Sequence, residues 1–256
     1  MNVPVSSQRR SAILAEIEAR GFVTLEALAE AFSVSMQTVR RDVIAMHEEG
    51  LIERFHGGAG AKGRIGFNRV EHRAKRSMNI QEKRDIARHA VEFLLEGSFV
   101  YLDVGTTLEA VASALRGRPQ VTVVTNSLHV ATLVDPREHE IRILPGRVAG
   151  PDGSVVGEET VLALRALRLD MALIGCSAIE AEGHVMDFDP AKIAVKRSAM
   201  AVARRSLLLA TRDKFGQTAR CEIGHLSDFG QVLTETLKGG EHDDAVTIGD
   251  MPDWVP

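Results

Sequence analysis

The chain has 256 residues, of which 45% are hydrophobic and 26% are charged, so it can bury a substantial core and is not expected to be disordered. Its two cysteines, Cys176 and Cys221, have no paired spacing, which argues against a disulfide framework and a zinc ribbon. The N-terminal segment lacks the apolar run of a signal peptide, and no run of about 18 apolar residues could cross a membrane. We therefore expect a cytoplasmic protein of one large domain, or of a small and a medium one.

The formal net charge of −4 does not by itself suggest a nucleic-acid partner. Residues 1–76 contain 12 Lys and Arg against 9 Asp and Glu, a net charge of +3, whereas the remainder contains 19 against 26, a net charge of −7. A mildly basic N-terminal part on an acidic body is compatible with a DNA-binding module. Chance variation between the two parts could produce a difference of this size, so the charge permits a DNA-binding function without indicating it.

Three short helices are predicted before residue 50. Apolar residues at helical spacing place the first helix at 7–19, and Thr24 is expected to cap the second, LEALAEAF. The third helix is expected to begin after the N-cap Ser35 and to end near Gly50.

The third helix has the residue pattern of a DNA recognition helix. Val39, Val43 and Met46 share one face, which would be buried and would fix the orientation of the helix. An arginine pair alone is more often solvated surface than a base-reading element. The polar residues near the beginning of the helix, which could reach base edges in the major groove, are Gln37, Thr38, Arg40 and Arg41.

The segment LIERFHGGA that follows predicts a small β-ribbon. Leu51 and Ile52 begin a strand, and Gly57-Gly58 makes a tight turn. Three helices and a ribbon together predict a winged helix-turn-helix domain over residues 1–59. Residues 60–79 are rich in Gly and Arg with little periodicity, so they are interpreted as a linker.

From Ile80 onward, apolar strand-like runs alternate with helical ones, which predicts an α/β domain over residues 80–240 and a tail over 241–256. The predicted strands are SFVYLDV, VTVVT, EIRILPG, DMALIGC, SLLLA and QVLTE. The predicted helices are a first one at about 81–95, then LEAVASAL, LHVATLV, ETVLALRAL and a segment at about 192–205. Strands that are apolar throughout predict a mostly parallel sheet covered on both faces. Ligands of such sheets bind at the carboxyl ends of the strands.

Three loops are expected at that edge. The first runs from Asp103 through Gly105 to Thr106 and Thr107, where a glycine, two hydroxyls and a helix N-terminus favour a phosphate or a carboxylate. An ordinary helix cap would have the same composition. The other two loops, each weak evidence alone, are Thr125-Asn126-Ser127 and Gly175-Cys176-Ser177.

Two lysines, Lys196 and Lys214, come later in the chain. Lys214 follows the strand SLLLA and could reach the same edge, although a single lysine is more often a solvated surface charge. Asp187 and Asp189 lie in a predicted loop and are expected to face solvent. Neither the nine histidines nor the cysteines have metal-ligand spacing, so no metal or other cofactor is expected.

Several motifs occur together in the two parts of the chain. The N-terminal part contains VSMQTVRRDV and RFHGGA, and the body contains YLDVGTT, VVTNS, LPG, GEET, LIGCSAI and DKFG. In these motifs the chain resembles the DeoR family of bacterial transcriptional regulators over nearly its whole length. The resemblance implies a winged helix-turn-helix joined to a sensor domain similar in fold to ribose-5-phosphate isomerases. It also implies a repressor of sugar or nucleoside catabolism genes that leaves operator DNA when a phosphorylated metabolite binds.

Carried over residue by residue, the resemblance implies two sets of contacts. The expected contacts to double-stranded DNA are Ser35, Gln37, Thr38, Arg40, Arg41, Arg54 and His56. The expected contacts to a phosphorylated effector are Asp103, Gly105, Thr106, Thr107, Thr125, Asn126, Ser127, Gly175, Lys196 and Lys214.

The chain departs from the family pattern near the expected effector site. Pro145-Gly146-Arg147 stands where two glycines are usual, Lys192 where a glutamate is usual, and Thr211 where an aspartate is usual. The last two departures remove negative charge or add positive charge. We therefore expect an effector with more negative charge than the common ones, such as a bisphosphate or a sugar acid phosphate.

Alternative functions follow from the same residues. In an active sugar-phosphate isomerase or transferase, Asp103 could act as base and Lys196 or Lys214 as electrophile. Catalysis would also need acidic partners, but Lys192 and Thr211 stand at the positions where the glutamate and the aspartate are usual. This replacement argues against catalysis. The N-terminal part could instead bind a protein. If it binds DNA, one copy reads too few bases to select an operator, so a homodimer or homotetramer is expected.

Overall fold

Contacts within the chain separate two units, residues 1–79 and 80–256. The computed structural model describes residues 6–20, 22–55, 58–61 and 72–235. The first unit buries one apolar core and the second buries two, so each unit has its own stabilising contacts.

The first unit begins with three helices and a three-stranded antiparallel sheet. The helices are α1 Ser6–Arg20, α2 Leu25–Ala31 and α3 Met36–Glu48. The strands are β1 Phe22–Thr24, β2 Ile52–Phe55 and β3 Gly58–Ala61, in the order β1-β3-β2. The predicted helices and ribbon of a winged helix-turn-helix are confirmed. Of the predicted turn, Gly58 begins β3 and Gly57 lies outside the described residues.

The sequence did not predict β1. Thr24, expected as the cap of the second helix, directly precedes α2 and is also the last residue of this strand, where it pairs with Gly58. Three residues are too few to show a periodicity of two, and the partner strand comes much later in the chain. The pairing of β1 with β3 is therefore a tertiary contact that local sequence patterns do not predict.

The interpretation of residues 60–79 as a linker was incomplete. Gly60 and Ala61 belong to β3, and a fourth helix, α4 His72–Ser77, lies inside the same range. The sequence of α4, HRAKRS, has no apolar stripe, so hydrophobic periodicity could not reveal it. Residues 62–71 lie outside the described part of the chain.

The second unit is built on a six-stranded sheet with helices between the strands. Its sheet strands are β4 Phe99–Leu102, β5 Thr122–Thr125, β6 Glu140–Ile143, β9 Leu169–Gly175, β12 Ala203–Leu209 and β14 Gln231–Leu233. Its helices are α5 Ile80–Glu92, α6 Thr106–Ala114, α7 Leu128–Leu133, α8 Glu158–Arg165 and α9 Pro190–Val202. No helix in the described ranges is both long and apolar enough to span a membrane.

All neighbouring strands of this sheet are parallel, in the order β14-β12-β9-β4-β5-β6. The six apolar runs of the sequence are these six strands, so the prediction of a mostly parallel sheet is confirmed. The direction of strand order reverses between β4 and β9, where Leu102 lies opposite Leu173. At such a switch point the loops after the two strands diverge to opposite faces and leave a crevice.

Helices cover both faces of the sheet. One core contains Ile86 of α5, Leu108 of α6 and Val130 of α7, and the other contains Leu164 of α8 and Val195 of α9. Apolar side chains are needed on both faces of the central strands, and for this reason those strands read as continuous apolar runs.

Five short antiparallel strands were not predicted. They are β7 Arg147–Ala149, β8 Ser154–Val156, β10 Ala178–Ile179, β11 His184–Asp187 and β13 Cys221–His225. The first two form a hairpin, and the other three form a separate sheet in the order β10-β11-β13. Two single 3₁₀ turns, Arg212–Lys214 and Leu226–Asp228, follow β12 and β13.

Candidate functional site

The recognition-helix candidate α3 begins at a well-formed cap. Ser35 has extended backbone angles, φ −68° and ψ 150°, and its Oγ accepts a hydrogen bond from the backbone N–H of Thr38 at 3.2 Å. The hydroxyl groups of Ser35 and Thr38 are also 2.9 Å apart. The predicted cap is confirmed, and it places two hydroxyl groups at the exposed N-terminus of the helix.

The two faces of α3 differ as predicted. Val39, Val43 and Met46 are buried in the core of the first unit. Gln37, Arg40 and Arg41 are exposed, and Thr38 is half-buried. Arg54 lies on β2, and His56 lies outside the described residues. The polar side chains of α3 are therefore available to a ligand, and their contacts with DNA remain a prediction.

A buried ion pair joins α3 to α1. The Arg9 guanidinium donates to Asp42 at 2.6 Å, and Arg10 lies 3.5 Å from the same carboxylate and 2.9 Å from Glu49. Asp42 is 4% exposed. We did not single out this residue from the sequence, although a carboxylate between the core residues Val39 and Val43 is the signal that could have revealed it. The pair holds the exposed face of α3 in a defined orientation.

In the second unit, Asp103 is the centre of a buried polar network. Its carboxylate accepts hydrogen bonds from the backbone N–H of Gly175 at 3.0 Å and from the ammonium group of Lys196. The hydroxyl of Tyr101 lies 3.3 Å from the other carboxylate oxygen. Burial, together with the charge of Asp103, raises the pKa of Tyr101. Residues from β4, β9 and α9 thus meet at the switch point of the sheet.

Lys196 is 2% exposed and is surrounded by oxygen atoms. Its Nζ donates to the carbonyl of Gly175 at 2.8 Å and lies 3.5 Å from Asp187. Burial disfavours the ammonium form, but the charges of Asp103 and Asp187 outweigh this effect and hold the pKa of Lys196 above its ordinary value. The expectation that Asp187 faces solvent was wrong, because β11 turns its side chain toward Lys196.

The Thr125-Asn126-Ser127 loop is buried, and its side chains have partners within the protein. Thr125 donates to the carbonyl of Leu102 at 2.7 Å, and Ser127 caps α7 by accepting from Val130. Asn126 accepts from Tyr101 at 2.7 Å and donates to the carbonyl of Val155 at 2.9 Å. These contacts hold neighbouring loops together, and direct contact of the three residues with an effector remains a prediction.

The loop after β4 is more open. Gly105 has φ +127°, a conformation that favours glycine, and a Cβ atom placed on it would meet no described atom within 4 Å. Thr106 and Thr107 are the first two residues of α6 and are half-buried. Backbone N–H groups in the first turn of a helix have no partner within the helix, so they are available to an anion.

Two further lysines lie near this edge: Lys214, which the sequence predicts there, and Lys83, which it does not. Lys214, in the 3₁₀ turn after β12, lies 3.9 Å from Asp213. Lys83, in the first turn of α5, is 8% exposed. Burial and then the nearby charge of Lys214 lower the pKa of Lys83 to about 8. The burial of Lys83 could have been predicted from its spacing, since Lys83 lies on the same helix face as the core residues Ile86 and Ala90.

The departures from the family pattern do not simply add positive charge. Lys192 pairs with Asp152 in the turn between β7 and β8, and both side chains are half-buried. Thr211 bonds to the carboxylate of Asp213. A negative group therefore accompanies each replaced position, which weakens the inference of an unusually anionic effector.

Comparison with known proteins identifies the family. The profile of the DeoR-like helix-turn-helix domain matches residues 9–63, and that of the DeoR C terminal sensor domain matches residues 78–236. The chain belongs to the DeoR family of transcriptional regulators. This DeoR-family protein is 36% identical over 230 residues to the glycerol-3-phosphate regulon repressor of Escherichia coli, covering 90% of each chain. It is 35% identical to the repressor of the same name from Haemophilus influenzae, covering 91% of each.

A third relative has a different name. The HTH-type transcriptional repressor CsqR of Escherichia coli is 33% identical, covering 90% of this chain and 87% of its own. These relatives point to a DNA-binding transcriptional regulator rather than an enzyme. Among solved structures, ribose 5 phosphate isomerase A from Neisseria gonorrhoeae has a TM-score of 0.36 and 18% identity over 52% of each chain. That similarity is too low to support a conclusion about this DeoR-family regulator.

Proposed function

We propose that this protein is a repressor of carbohydrate catabolism genes and leaves its operator when a phosphorylated sugar or polyol binds the second unit. The supporting observation is the set of cationic side chains at the carboxyl edge of the parallel sheet, beside the open first turn of α6. Two relatives are named as glycerol-3-phosphate regulon repressors. A small phosphorylated polyol is therefore the first effector to test.

The chemistry of this edge suits such a ligand. A phosphate would accept hydrogen bonds from the first-turn N–H groups of α6 and from the hydroxyls of Thr106 and Thr107. The ammonium groups of Lys83 and Lys214 would balance its charge. The carboxylates of Asp103 and Asp187 can accept hydrogen bonds from the hydroxyl groups of the carbon chain.

The DNA-binding surface would be the exposed beginning of α3. Arg40 and Arg41 would contact guanine edges and backbone phosphates, and Ser35 and Thr38 would anchor phosphates. One good bidentate base contact discriminates by roughly 1–3 kcal/mol, so a homodimer or homotetramer is needed for operator selection. An effector releases the DNA only through its different affinities for the bound and released arrangements.

The Arg41→Ala variant tests the DNA-binding assignment. Operator fragments are first selected from genomic DNA by the wild-type protein, and affinities are measured by mobility shift with calorimetry of effector binding in parallel. We expect operator affinity to fall roughly 5- to 150-fold while effector affinity is unchanged, since loss of one base contact removes roughly 1–3 kcal/mol.

Arg118→Ala is the matched control, because Arg118 is an exposed arginine of the second unit. It should leave operator affinity unchanged. Unchanged operator affinity in Arg41→Ala, or an equal loss in both variants, would contradict the assignment of α3 as the recognition helix.

A further inference from the structure

The two edge strands of the parallel sheet differ in exposure. At one edge lies β14, whose Val232 and Leu233 are 2% and 1% exposed. At the other edge lies β6, in which Glu140, Arg142 and Ile143 are exposed. Within the ranges that the structure describes, no strand pairs with the outer side of β6. An open edge of this kind is a template for pairing with a strand of another chain.

The backbone of β6 has hydrogen-bonding groups directed away from the sheet. On the inner side, the N–H of Glu140 donates to the carbonyl of Val121 at 3.1 Å, and the N–H of Leu144 donates to that of Thr125 at 2.9 Å. In a parallel ladder only every second residue bonds to the same neighbour. The N–H and C=O groups of Ile141 therefore point outward, where an antiparallel strand would satisfy them.

The charges of β6 are complementary to those of a second copy of the same strand. Glu140 and Arg142 lie on one face, with the Arg142 Nε 2.8 Å from the Glu140 carboxylate and the guanidinium 4.9 Å from the Phe99 ring centre. With a two-fold axis at Ile141, Glu140 of each copy faces Arg142 of the partner subunit. An axis at Arg142 would instead place two arginines opposite each other. Opposite charges across an antiparallel pair stabilise it and like charges destabilise it, so the charges select the first register.

Charged side chains on an edge strand can also prevent pairing. Charges of a single sign do so in every register, because each copy then meets its own sign. The strand β6 carries one charge of each sign, two positions apart. This order attracts a second copy in one register and opposes the neighbouring register, so it specifies a pairing.

Apolar side chains flank the open edge. Ile143 lies on the face of β6 that α7 covers and is 52% exposed, and Val148 of β7 is also 52% exposed. On α7, Leu128 and Leu133 are 36% and 38% exposed. The first residue of α7 is hydrogen-bonded to the turn of the β7–β8 hairpin, so these elements are neighbours. A second copy at this edge would remove such apolar side chains from water.

We propose that β6 pairs antiparallel with β6 of a second copy, with the two-fold axis at Ile141, and that the apolar side chains beside it are buried in the same interface. The two six-stranded sheets then form one continuous sheet. This inference rests on the proposed function, in which operator selection needs more than one chain. It adds the surface, the register and the symmetry by which the chains associate.

The test uses the full chain and two charge variants, Glu140→Arg and Arg142→Glu. Association is measured by sedimentation velocity over a range of concentrations. The wild type should form a dimer, or a larger assembly that contains this dimer. Each variant places like charges opposite each other on both sides of the axis, so the dissociation constant should rise about tenfold or more. Arg220→Glu is the matched control, since Arg220 is an exposed arginine before β13 and its variant should associate like the wild type.

Mixing the two variants provides the decisive measurement. The arginines of Glu140→Arg then face the glutamates of Arg142→Glu, so native mass spectrometry should detect a heterodimer as stable as the wild-type dimer. The double variant Glu140→Arg with Arg142→Glu should associate with itself for the same reason. Restored association also shows that the single variants are folded, because a misfolded chain would not regain a specific partner.

A separate variant tests the apolar part of the interface. Ile143→Ser should raise the dissociation constant several-fold, because less apolar surface is buried on association. Leu95→Ser is the control, since Leu95 is 73% exposed and lies after α5, away from β6 in the strand order. Equal effects of the two serine variants would contradict burial of Ile143 in the interface.

The outcomes separate this inference from the proposed function. If both charge variants associate as tightly as the wild type, or if mixing them restores nothing, the pairing of β6 is overturned while operator binding by several chains still stands. A wild type that remains monomeric in solution at micromolar concentrations would overturn the pairing as well. Operator binding and its release by a phosphorylated polyol are measured independently, and their absence would contradict the proposed function.

Discussion

Lys196 lies between two carboxylates, Asp103 and Asp187, in a setting with almost no solvent. Such a cluster is a poor source of stability, because the desolvation of the charges offsets most of their attraction. Removal of one partner has a much larger effect, since it leaves an uncompensated charge in the interior. Lys196 thus compensates the charge of the two buried carboxylates at the carboxyl edge of the sheet.

We expect Lys196→Met to lower the free energy of unfolding by about 3–5 kcal/mol. The double variant Asp103→Asn with Lys196→Met should regain part of this loss, because it removes one of the two negative charges. Urea denaturation of the full chain measures both values. Lys192→Met is the control, as its partner Asp152 is more accessible to solvent and the expected loss is about 1 kcal/mol or less. Equal losses in the two single variants would show that burial of Lys196 has no special effect.

At the scale of elements, α1 fixes the orientation of α3. The contacts of Arg9 and Arg10 with Asp42 determine which face of α3 is exposed, in addition to the apolar contacts of Val39 and Val43. A recognition helix that rotates about its axis would present different side chains to the bases. If α3 contacts DNA as proposed, the ion pair should link the stability of the first unit to its binding specificity.

Asp42→Ala should destabilise the first unit by about 3–5 kcal/mol, because the Arg9 guanidinium loses its carboxylate partner in the interior. Operator binding should fall with it. Hydrogen exchange of α1 and α3 amides, measured with operator affinity, provides the test. Glu48→Ala removes an exposed carboxylate of the same helix and should change neither quantity by more than about 0.5 kcal/mol. If the α1 and α3 amides of Asp42→Ala exchange hydrogen at the same rates as those of the wild type, the apolar contacts alone position α3.

At the scale of the whole molecule, one winged helix offers few base contacts, so we expect two or four chains on each operator. Native mass spectrometry of the protein–DNA complex measures the number of chains. Footprinting should show two half-sites separated by about 34 Å, one turn of DNA, or by a multiple of it. A complex with one chain and a single protected half-site would contradict the proposed assembly.

Much of the architecture could be predicted because it depends on local patterns. The apolar parts of β4, β5, β9, β12 and β14 are continuous because both faces of the sheet are covered there, whereas the edge strand β6 is exposed. The cap at Ser35 and the stripe from Val39 to Met46 likewise depend on residues close in sequence. By contrast, β1 has three residues and exists because the distant strand β3 pairs with it.

The sequence by itself determined the family, the winged helix-turn-helix and the parallel sheet, because these follow from motifs and from hydrophobic periodicity, and it predicts a ligand at the carboxyl edge of that sheet. Only the tertiary structure decided which charges meet there. Asp103, Asp187 and Lys196 come from three separate elements, and Lys83 and Lys214 are far apart in the chain. Electrostatic interactions depend on distance and burial, and neither quantity can be read from residue spacing alone.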